Sequence, residues 1–205
     1  ERAGHWFVSL QVEAEIADQR ATGERVGVDL GIKSLAVCST GETYTNPRAL
    51  DHATRQLARC QRELSRRQKG SRNRAKTKTK LARLHQRVAN LRREAIHQAT
   101  SRIVAKTKPE AERPSVIVLE DLNVSGMMQN HNLARAIGDV GMGEFSRQMA
   151  YKCAWQGITL QKADRWYPSS KRCSGCGQVK ESLLLSERVY RCEACGLNID
   201  RDLNA

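Results

Sequence analysis

The first regular pattern in the chain is an alternation of apolar and polar side chains over residues 5–13. Successive side chains of a β-strand point to opposite faces, so this alternation predicts a half-buried strand, at a sheet edge or at the end of a preceding module. Its apolar face would carry Trp6, Val8, Leu10 and Val12.

Two later apolar runs each end in an acidic residue. Residues 25–31 read RVGVDLG, with Asp29 just before a glycine, and residues 115–123 read SVIVLEDLN, with Glu120 ending the apolar run. Residues 116–119 show no polar alternation, which is typical of a strand buried on both faces in a parallel sheet covered by helices. If the two strands are parallel neighbours, about 4.8 Å apart, Asp29 and Glu120 can share a divalent cation that offsets their charge. An acid at a strand end is also common turn chemistry, so each run alone leaves both interpretations open.

The segments after Asp29 predict a small antiparallel meander. Residues 35–39 and 42–45 have strand character and are separated by Thr40 and Gly41, a tight-turn pair. Pro47 then ends the sheet, because a proline cannot donate a ladder hydrogen bond.

From residue 48 to residue 106 the apolar spacing becomes helical, and Gly70 with Ser71 divides it into an antiparallel helical hairpin. The Lys- and Thr-rich residues 76–80 are expected to become ordered only against phosphate. A helix over residues 143–155 and a strand over residues 158–163 follow. The fold class is therefore α/β, a mixed sheet flanked by helices.

Size and composition fit one domain, or one domain with an appendage. The chain has 205 residues, of which 40% are hydrophobic and only 4% aromatic, so the expected core is aliphatic. No run of eighteen apolar residues and no secretory leader occurs, so neither membrane insertion nor export is expected, and a cytoplasmic or nucleoid location is the expectation. The missing N-terminal Met and the end shortly after Asp202 suggest a piece of a longer protein.

The positive charge is concentrated in one segment. Residues 55–93 contain fifteen Lys or Arg and one acid, Glu63, a net +14, whereas the whole chain carries +13. Such a segment is typical of a surface that neutralises phosphates, although a merely solvated helix face is the alternative. The candidate nucleic-acid-binding residues here are Arg66, Arg67, Arg72, Arg74, Lys76, Lys78 and Lys80.

Four cysteines form two Cys-x-x-Cys knuckles, each followed by glycine and separated from each other by fifteen residues. The glycine permits the tight turn that lets both thiolates of a knuckle face one ion. Four thiolates make a closed tetrahedral site for structural Zn²⁺, while disulfides and an iron–sulfur cluster remain the alternatives. The four candidate ligands are Cys173, Cys176, Cys192 and Cys195; the other cysteines, Cys38, Cys60 and Cys153, are predicted to pack in the core.

These motifs in this order resemble the TnpB (OrfB) proteins of bacterial insertion sequences, which are relatives of the compact type V CRISPR effectors. The resemblance covers nearly the whole chain from about Val26 onward. Besides the basic hairpin and the knuckles, it rests on residues 27–31 (GVDLG), 119–123 (LEDLN), 130–134 (NHNLA), 169–173 (SSKRC) and 200–205 (DRDLNA).

The resemblance implies a RuvC-like nuclease core with an RNase H fold, part of an RNA-guided DNA endonuclease with guide RNA and target DNA as partners. Asp29, Glu120 and Asp202 would match the three catalytic acids, with Asp202 preferred over Asp200 because it directly precedes x-Asn-Ala. Three carboxylates suit two Mg²⁺ or Mn²⁺ ions and phosphodiester hydrolysis. Ser169, Ser170 and Lys171, before the first knuckle, are hypothesised to contact the phosphates of the strand being cut, with a surface turn as the alternative.

The same resemblance divides the chain. Residues 1–24 would hold the terminal strand of a preceding wedge-like module, residues 25–164 the RuvC-like core with the basic hairpin at about 48–106, residues 165–199 the zinc ribbon and residues 200–205 the start of the last RuvC motif. The sequence leaves the oligomeric state open.

Two other functions compete with the nuclease. The chain could be a non-catalytic nucleic-acid-binding or regulatory module of a mobile element. It could also be an actin-like ATPase, because Gly-x-Asp-x-Gly opens that fold as well. The ATPase is the weaker alternative, since no Gly-rich phosphate loop follows Asp29 and neither the knuckles nor the basic helices serve it.

Overall fold

The computed structural model describes residues 3–4, 6–13, 23–104, 113–164, 167–184 and 187–204. Its main sheet has five strands in the order β3-β2-β1-β4-β5. The strands are β1 Gly23–Asp29, β2 Ser34–Cys38, β3 Thr43–Thr45, β4 Pro114–Glu120 and β5 Thr159–Ala163. A separate two-stranded sheet pairs β6 Val189–Arg191 with β7 Asn198–Asp200.

Strands β1, β2 and β3 form the predicted antiparallel meander. Gly41 occupies the turn between β2 and β3 with φ of 89°, a left-handed conformation that glycine adopts without steric cost. Strand β4 then pairs parallel with both β1 and β5. The prediction that the two apolar, acid-terminated runs are parallel neighbours is confirmed.

The basic segment folds as the predicted helical hairpin. Helix α1 spans Ala49–Arg66 and helix α2 spans Arg72–Ile103, with Ser71 capping α2 by accepting a hydrogen bond from the backbone N–H of Arg74 at 3.2 Å. Residues 76–80 lie within α2, so the expectation that they lack structure without phosphate was wrong. Their Lys and Thr side chains join a helix that already has a capped start and packs against α1, which overrides their weak local preference.

The remaining helices are shorter; three of them lie between β4 and β5 in the chain, and the fourth follows β7. They are α3 Val124–Met127, α4 Ala134–Val140, α5 Met142–Trp155 and α6 Arg201–Asn204. Helix α5 and strand β5 match the predicted helix and strand to within one residue.

The core lies on one face of the sheet. Val28, Ile117 and Leu119 point to that face and pack with residues of α2 and α5 such as Ile96 and Phe145. All five are almost completely buried, and the cluster contains the predicted core cysteines Cys38 and Cys153.

The opposite face of the sheet is less covered. Val116 and Val118, which alternate with the core residues of β4, are only partly buried. The prediction that β4 is buried on both faces is therefore correct for one face only, because the second face lines a pocket.

A buried acid fastens the helical hairpin to the rest of the fold. Both carboxylate oxygens of Asp139 in α4 accept the backbone N–H of Leu50, at 3.0 and 2.9 Å, in the first turn of α1. Arg92 of α2 donates to the same carboxylate at 3.0 Å. One side chain, only 4% exposed, thus joins three helices.

Residues 6–13 form no strand, so the strand predicted from their alternation was wrong. Trp6, Val8 and Leu10 are each more than four-fifths exposed. Alternation predicts a strand only when another strand supplies hydrogen bonds and a surface to bury its apolar face. No strand among the described residues pairs with this segment, and residues 14–22 lie outside them.

None of the helices in the described ranges combines the length and low polarity needed to cross a bilayer.

Candidate active site and metal centre

Asp29 and Glu120 lie at the C-terminal ends of adjacent parallel strands. The β1–β4 register pairs Val28 with Leu119, so the next positions, Asp29 and Glu120, are side by side. Because side chains alternate between faces, the two carboxylates point away from the core formed by Val28 and Leu119. The sheet register itself thus brings the first two predicted acids together.

Asp202 reaches the same place from the other end of the chain. It lies in the one-turn helix α6, directly after β7, and with Asp29 and Glu120 lines a pocket of about 180 Å³. Among the described residues, the three acids do not bring an oxygen each to within 4.8 Å of one another. Two ions about 3.5–4 Å apart do not need so tight a cluster, because each acid can contact a different ion.

Burial and neighbouring negative charge both act on Asp29. Desolvation raises its pKa most, and the carboxylates of Glu120 and Asp202 raise it further. Arg201 and the backbone N–H of Leu30 lower it, and the resulting pKa is about 6, against an ordinary value of 3.8. A divalent cation would favour the ionised form of all three acids and reverse this effect.

The predicted phosphate-contacting residues line the same pocket. Ser169, Ser170 and Lys171 form a single 3-10 turn at its rim. The Ser169 hydroxyl donates to Glu120 Oε1 at 3.3 Å, and Lys171 Nζ donates to the carbonyl of Glu181 at 2.9 Å. The turn therefore places two hydroxyls and one cation beside the acids.

The four knuckle cysteines converge on one point. Their sulfur atoms all lie within 4.8 Å of one another, with Cys173 Sγ 3.6 Å from Cys195 Sγ and Cys176 Sγ 3.5 Å from Cys192 Sγ. Tetrahedral Zn²⁺ with bonds of about 2.3 Å requires sulfur separations of about 3.8 Å, whereas a disulfide bond is about 2.05 Å long. The spacing therefore fits a four-thiolate metal site and not disulfides.

The two knuckles have the same backbone design. In the first, the Cys173 N–H donates to the Gln178 carbonyl at 2.8 Å, and in the second the Cys192 N–H donates to the Leu197 carbonyl at 2.8 Å. The glycines Gly177 and Gly196 have φ of 78° and 73°, which is the reason each knuckle is followed by glycine.

Backbone donors favour a thiolate at Cys173, whereas at Cys176 and Cys195 the backbone N–H groups are outweighed by the neighbouring sulfur atoms, which raise the thiol pKa. Burial opposes ionisation of Cys173, but hydrogen bonds from the backbone N–H groups of Cys176 and Gly175 act in the other direction, and the pKa of the Cys173 thiol falls to about 6. An ionised sulfur is the form that binds a metal ion.

Two buried residues connect the cysteine cluster to the acid pocket. Asn204, two residues after Asp202, donates to the Arg172 carbonyl at 2.7 Å and accepts from the Ser174 N–H at 3.0 Å. Tyr190, fully buried against Cys173, donates to the Lys171 carbonyl at 3.0 Å. The first knuckle thus holds both the helix that carries Asp202 and the turn at the pocket rim.

Sequence reasoning did not assign these roles to Asn204 and Tyr190. Asn204 stands out in the sequence only as part of the acidic motif, and its amide bonds to backbone groups 30 and 32 residues away, which no local pattern reveals. The sequence did offer a signal for Tyr190: it is one of few aromatic residues in the chain, and it lies two positions before the second knuckle.

The basic candidates of the hairpin divide into two groups. Arg67 is partly buried and pairs with Glu63 at 2.7 Å, while Arg74 donates to the carbonyls of Leu64 and Arg67, so these two arginines help to build the turn between α1 and α2. The remaining candidates are exposed along the hairpin: Arg66, Arg72, Lys76, Lys78 and Lys80.

The fold and the two sites define a mixed α/β protein with a carboxylate pocket beside a four-cysteine centre. The family model described as OrfB_IS605, probable transposase, matches residues 7–131, and the model described as Cas12f1-like, TNB domain, matches residues 143–205. The chain belongs to the OrfB_IS605 transposase family. The family resemblance found in the sequence is confirmed.

Two curated relatives bear the name "Putative RNA-guided DNA endonuclease". The protein from Streptomyces pristinaespiralis is 43% identical over 205 residues, covering 100% of this chain and 49% of the relative. InsQ of Escherichia coli K12 is 33% identical over 217 residues, covering 98% of this chain and 52% of InsQ. The chain spans about half the length of the curated relatives it matches.

Solved structures share the fold at low sequence identity. A chain in the cryo-EM structure of a CRISPR-Cas12f ternary complex superposes with a TM-score of 0.61 at 22% identity, over 87% of this chain and 37% of the other. A chain in a Cas12f1-sgRNA-target DNA complex superposes with a TM-score of 0.58 at 17% identity, over 87% and 47%.

Proposed function

We propose that this chain is the RuvC-like nuclease part of an RNA-guided DNA endonuclease, in which Asp29, Glu120 and Asp202 hold Mg²⁺ or Mn²⁺ and DNA is cut by phosphodiester hydrolysis. The observation that carries the proposal is the convergence of these three acids from separate parts of the chain on one pocket at the ends of two parallel strands. We assign the five-stranded sheet to the RNase H-like class on the same grounds.

The donor set fits a hard divalent cation. The pocket offers carboxylate oxygens, which Mg²⁺ and Mn²⁺ prefer, and its chemistry differs from that of the thiolate centre nearby. The raised pKa of Asp29 reflects negative charge gathered where water is partly excluded. When bound, two such ions would activate a water molecule and stabilise the leaving oxygen of a phosphodiester.

The residues around the acids have supporting parts in this proposal. Ser169 orients Glu120 through its hydroxyl, and the ammonium group of Lys171, held by the Glu181 carbonyl, attracts the phosphate backbone to the pocket. Arg201, which lies 3.6 Å from Asp202, limits the repulsion among the three carboxylates. No protein nucleophile is required.

The four-cysteine centre is proposed to bind one structural Zn²⁺. Its four thiolates leave no position open for catalysis, so it would act by fixing the shape of the segment from Lys171 to Asn204. The exposed cations of the hairpin are proposed to neutralise phosphates of the guide RNA and target DNA that serve as partners. We also propose that residues 25–164 form the nuclease core, residues 165–199 the zinc ribbon and residues 200–205 the start of the last RuvC motif.

Two measurements test the proposed nuclease. Mn²⁺ binding to the zinc-loaded chain, followed by electron paramagnetic resonance, should weaken at least tenfold in Asp29→Ala and Asp202→Ala. Mn²⁺-dependent cutting of labelled single-stranded DNA should be lost in the same variants. Asp121→Ala is the matched control, because Asp121 neighbours Glu120 in sequence but pairs with Lys162 at 3.0 Å on the surface.

The rival function, a non-catalytic nucleic-acid-binding module, makes the opposite prediction. If DNA binds with a steep salt dependence while Mn²⁺ affinity and cutting are the same in wild type and Asp29→Ala, the carboxylates are not a metal site and the nuclease proposal fails.

A further inference from the structure

A second concave surface lies on the side of helices α2 and α5 that faces away from the sheet. This groove, of about 970 Å³, is lined by residues of α2 and α5 together with Trp6 and Phe7. Arg87 and Arg93 of α2 are exposed in it, whereas Ile96 and Ala99 of the same helix are buried in the core. Helices α2 and α5 therefore separate the groove from the acid pocket.

The floor of the groove is a row of cations. Arg83, Arg87 and Arg93 line it along α2, and the groove residues from 83 to 97 extend over about 21 Å of helix. Arg87 and Arg93 make no ion pair within the described ranges. Two acids also line the groove: Glu94 accepts a hydrogen bond from Gln98, and Glu144 pairs with Arg147 at 2.8 Å and lies near Arg93. With Arg147, four arginines face these two glutamates, so the groove is positively charged.

The walls of the groove are aromatic. Tyr151 lines it, and the guanidinium of Arg147 lies over the Tyr151 ring, 5.6 Å from its centroid. Trp155, beside the groove, contacts the same ring edge to face, with centroids 4.7 Å apart. Trp155 is 56% exposed, Phe7 65% and Trp6 82%. Four of the nine aromatic residues in the chain thus lie in or beside one groove, three of them with more than half of their surface in water.

A buried acceptor completes the surface. Gln86 lines the groove, and its Oε1 is buried without a hydrogen-bond partner among the described residues. A buried acceptor without a donor costs free energy, which a ligand bearing N–H or O–H groups would recover.

We propose that this groove binds a single-stranded nucleic acid, with unpaired bases stacked on Tyr151, Trp155 and the Trp6–Phe7 pair, and with phosphates on the α2 arginines. Interleaved cations and exposed aromatic rings are the combination that single-stranded nucleic acids require, because every base offers a π-face and every linkage a charge. A double helix presents no base faces to such walls.

The groove binds a different strand from the one that reaches the acids. Asp29 and Glu120 project from the sheet face opposite to the helices, so the full helical layer and the sheet lie between the two surfaces. The groove therefore anchors a strand that is not cut. This inference goes beyond the proposed nuclease and does not depend on it, because binding is measured without added divalent metal.

The test compares base-containing and base-free strands by fluorescence anisotropy on the full chain. The probes are oligouridylate and oligothymidylate of about twelve nucleotides, within the usual range of site sizes, and an abasic deoxyribose phosphate of the same length. Trp155→Leu and Tyr151→Leu should each weaken oligouridylate binding at least about fivefold and leave abasic binding unchanged. Trp155→Phe, which keeps a ring, should restore most of the affinity.

Two double variants measure how much the arginines contribute to binding. Arg87→Gln with Arg93→Gln should weaken the base-containing and abasic probes alike, and more than Arg55→Gln with Arg59→Gln, which removes two exposed arginines from α1 outside the groove. Equal affinities for the uridylate and thymidylate probes would show that the groove recognises bases and phosphates. Tighter binding of the uridylate probe would show that it also recognises the ribose 2′-hydroxyl.

Two results would overturn the proposal. One is unchanged oligonucleotide affinity in both leucine variants with unchanged melting temperature, which would leave the aromatic groove to a protein partner. The other is an equal loss for the abasic probe, which would show that the rings act only by supporting the arginines.

Discussion

Replacing Asp29 with asparagine is expected to stabilise the metal-free protein at neutral pH. The Asp29 carboxyl lies in a partly desolvated pocket with two other acids, so the folded protein holds its ionised form less favourably than the unfolded chain does. Asparagine has nearly the same shape and carries no charge, and it therefore removes the penalty without leaving a cavity.

The size of the effect follows from the shift in pKa. A rise from 3.8 to about 6 is slightly more than two units. At about 1.36 kcal/mol for each unit, the ionised carboxylate destabilises the folded state by about 3 kcal/mol. For a domain of this size that corresponds to a gain of about 6 to 12 °C in melting temperature for the variant.

The pH dependence gives the prediction its sign. Below the unfolded pKa of 3.8 the carboxyl is protonated in both states and costs nothing. As pH rises toward 6 the unfolded chain releases its proton first, so wild-type stability falls, and above about pH 7 the penalty is complete. The difference between Asp29→Asn and wild type should therefore grow from about pH 4.5 to about pH 7 and then remain constant.

Urea denaturation of the zinc-loaded proteins across this pH range measures the difference. Asp121→Asn is the control, and it should be slightly destabilising because it removes the surface ion pair with Lys162. Saturating Mg²⁺ should stabilise wild type and leave Asp29→Asn almost unchanged. A difference that is flat with pH, or a less stable Asp29→Asn protein at pH 7.5, would refute the account of the pocket.

Three further predictions concern the framework around the pocket. Cys176→Ser or a zinc chelator should lower the melting temperature and reduce bound zinc below one ion per chain, measured by calorimetry and elemental analysis, because metal affinity in such a site is also folding energy. Asn204→Ala should cost about 1–3 kcal/mol in urea denaturation, since the Ser174 N–H and the Arg172 carbonyl lose their partner. Asp139→Asn should cost about 2–4 kcal/mol in the same assay, because the capping carboxylate of α1 loses its charge beside a partly buried arginine.

The sequence predicted the parts of the fold that depend on local pattern. The hairpin break at Gly70 and Ser71, the meander turn at Gly41 and the two glycine-ended knuckles each follow from backbone preferences of individual residues, and each occurs in the structure. The pairing of β1 with β4 was predictable because residues 116–119 are apolar without alternation, as in a parallel sheet, and because both runs end in an acid whose charge a shared cation could offset.

The predictions that were wrong depend on contacts outside the segment, not on its local pattern. Residues 6–13 alternate as well as many strands do, but alternation says nothing about whether a partner strand is present. The Lys- and Thr-rich residues 76–80 are helical because of a cap and a packing surface outside the segment. In both cases the deciding contacts lie outside the segment, so its own composition carries no information about them.

The same reasoning explains why the position of Asp202 depends on the cysteine centre. Helix α6 has four residues, too few to be stable by itself, so its orientation must come from contacts outside it. Those contacts include the two hydrogen bonds of Asn204 to backbone groups at the first knuckle, and the hydrogen bond that the Arg201 N–H donates to the Arg188 carbonyl just before β6. Loss of the thiolate-bound metal should therefore displace one carboxylate of the pocket, although none of its acids is a ligand of that metal. The thiolate centre and the carboxylate pocket differ in ligand chemistry, yet Asn204 and Tyr190 couple their geometries.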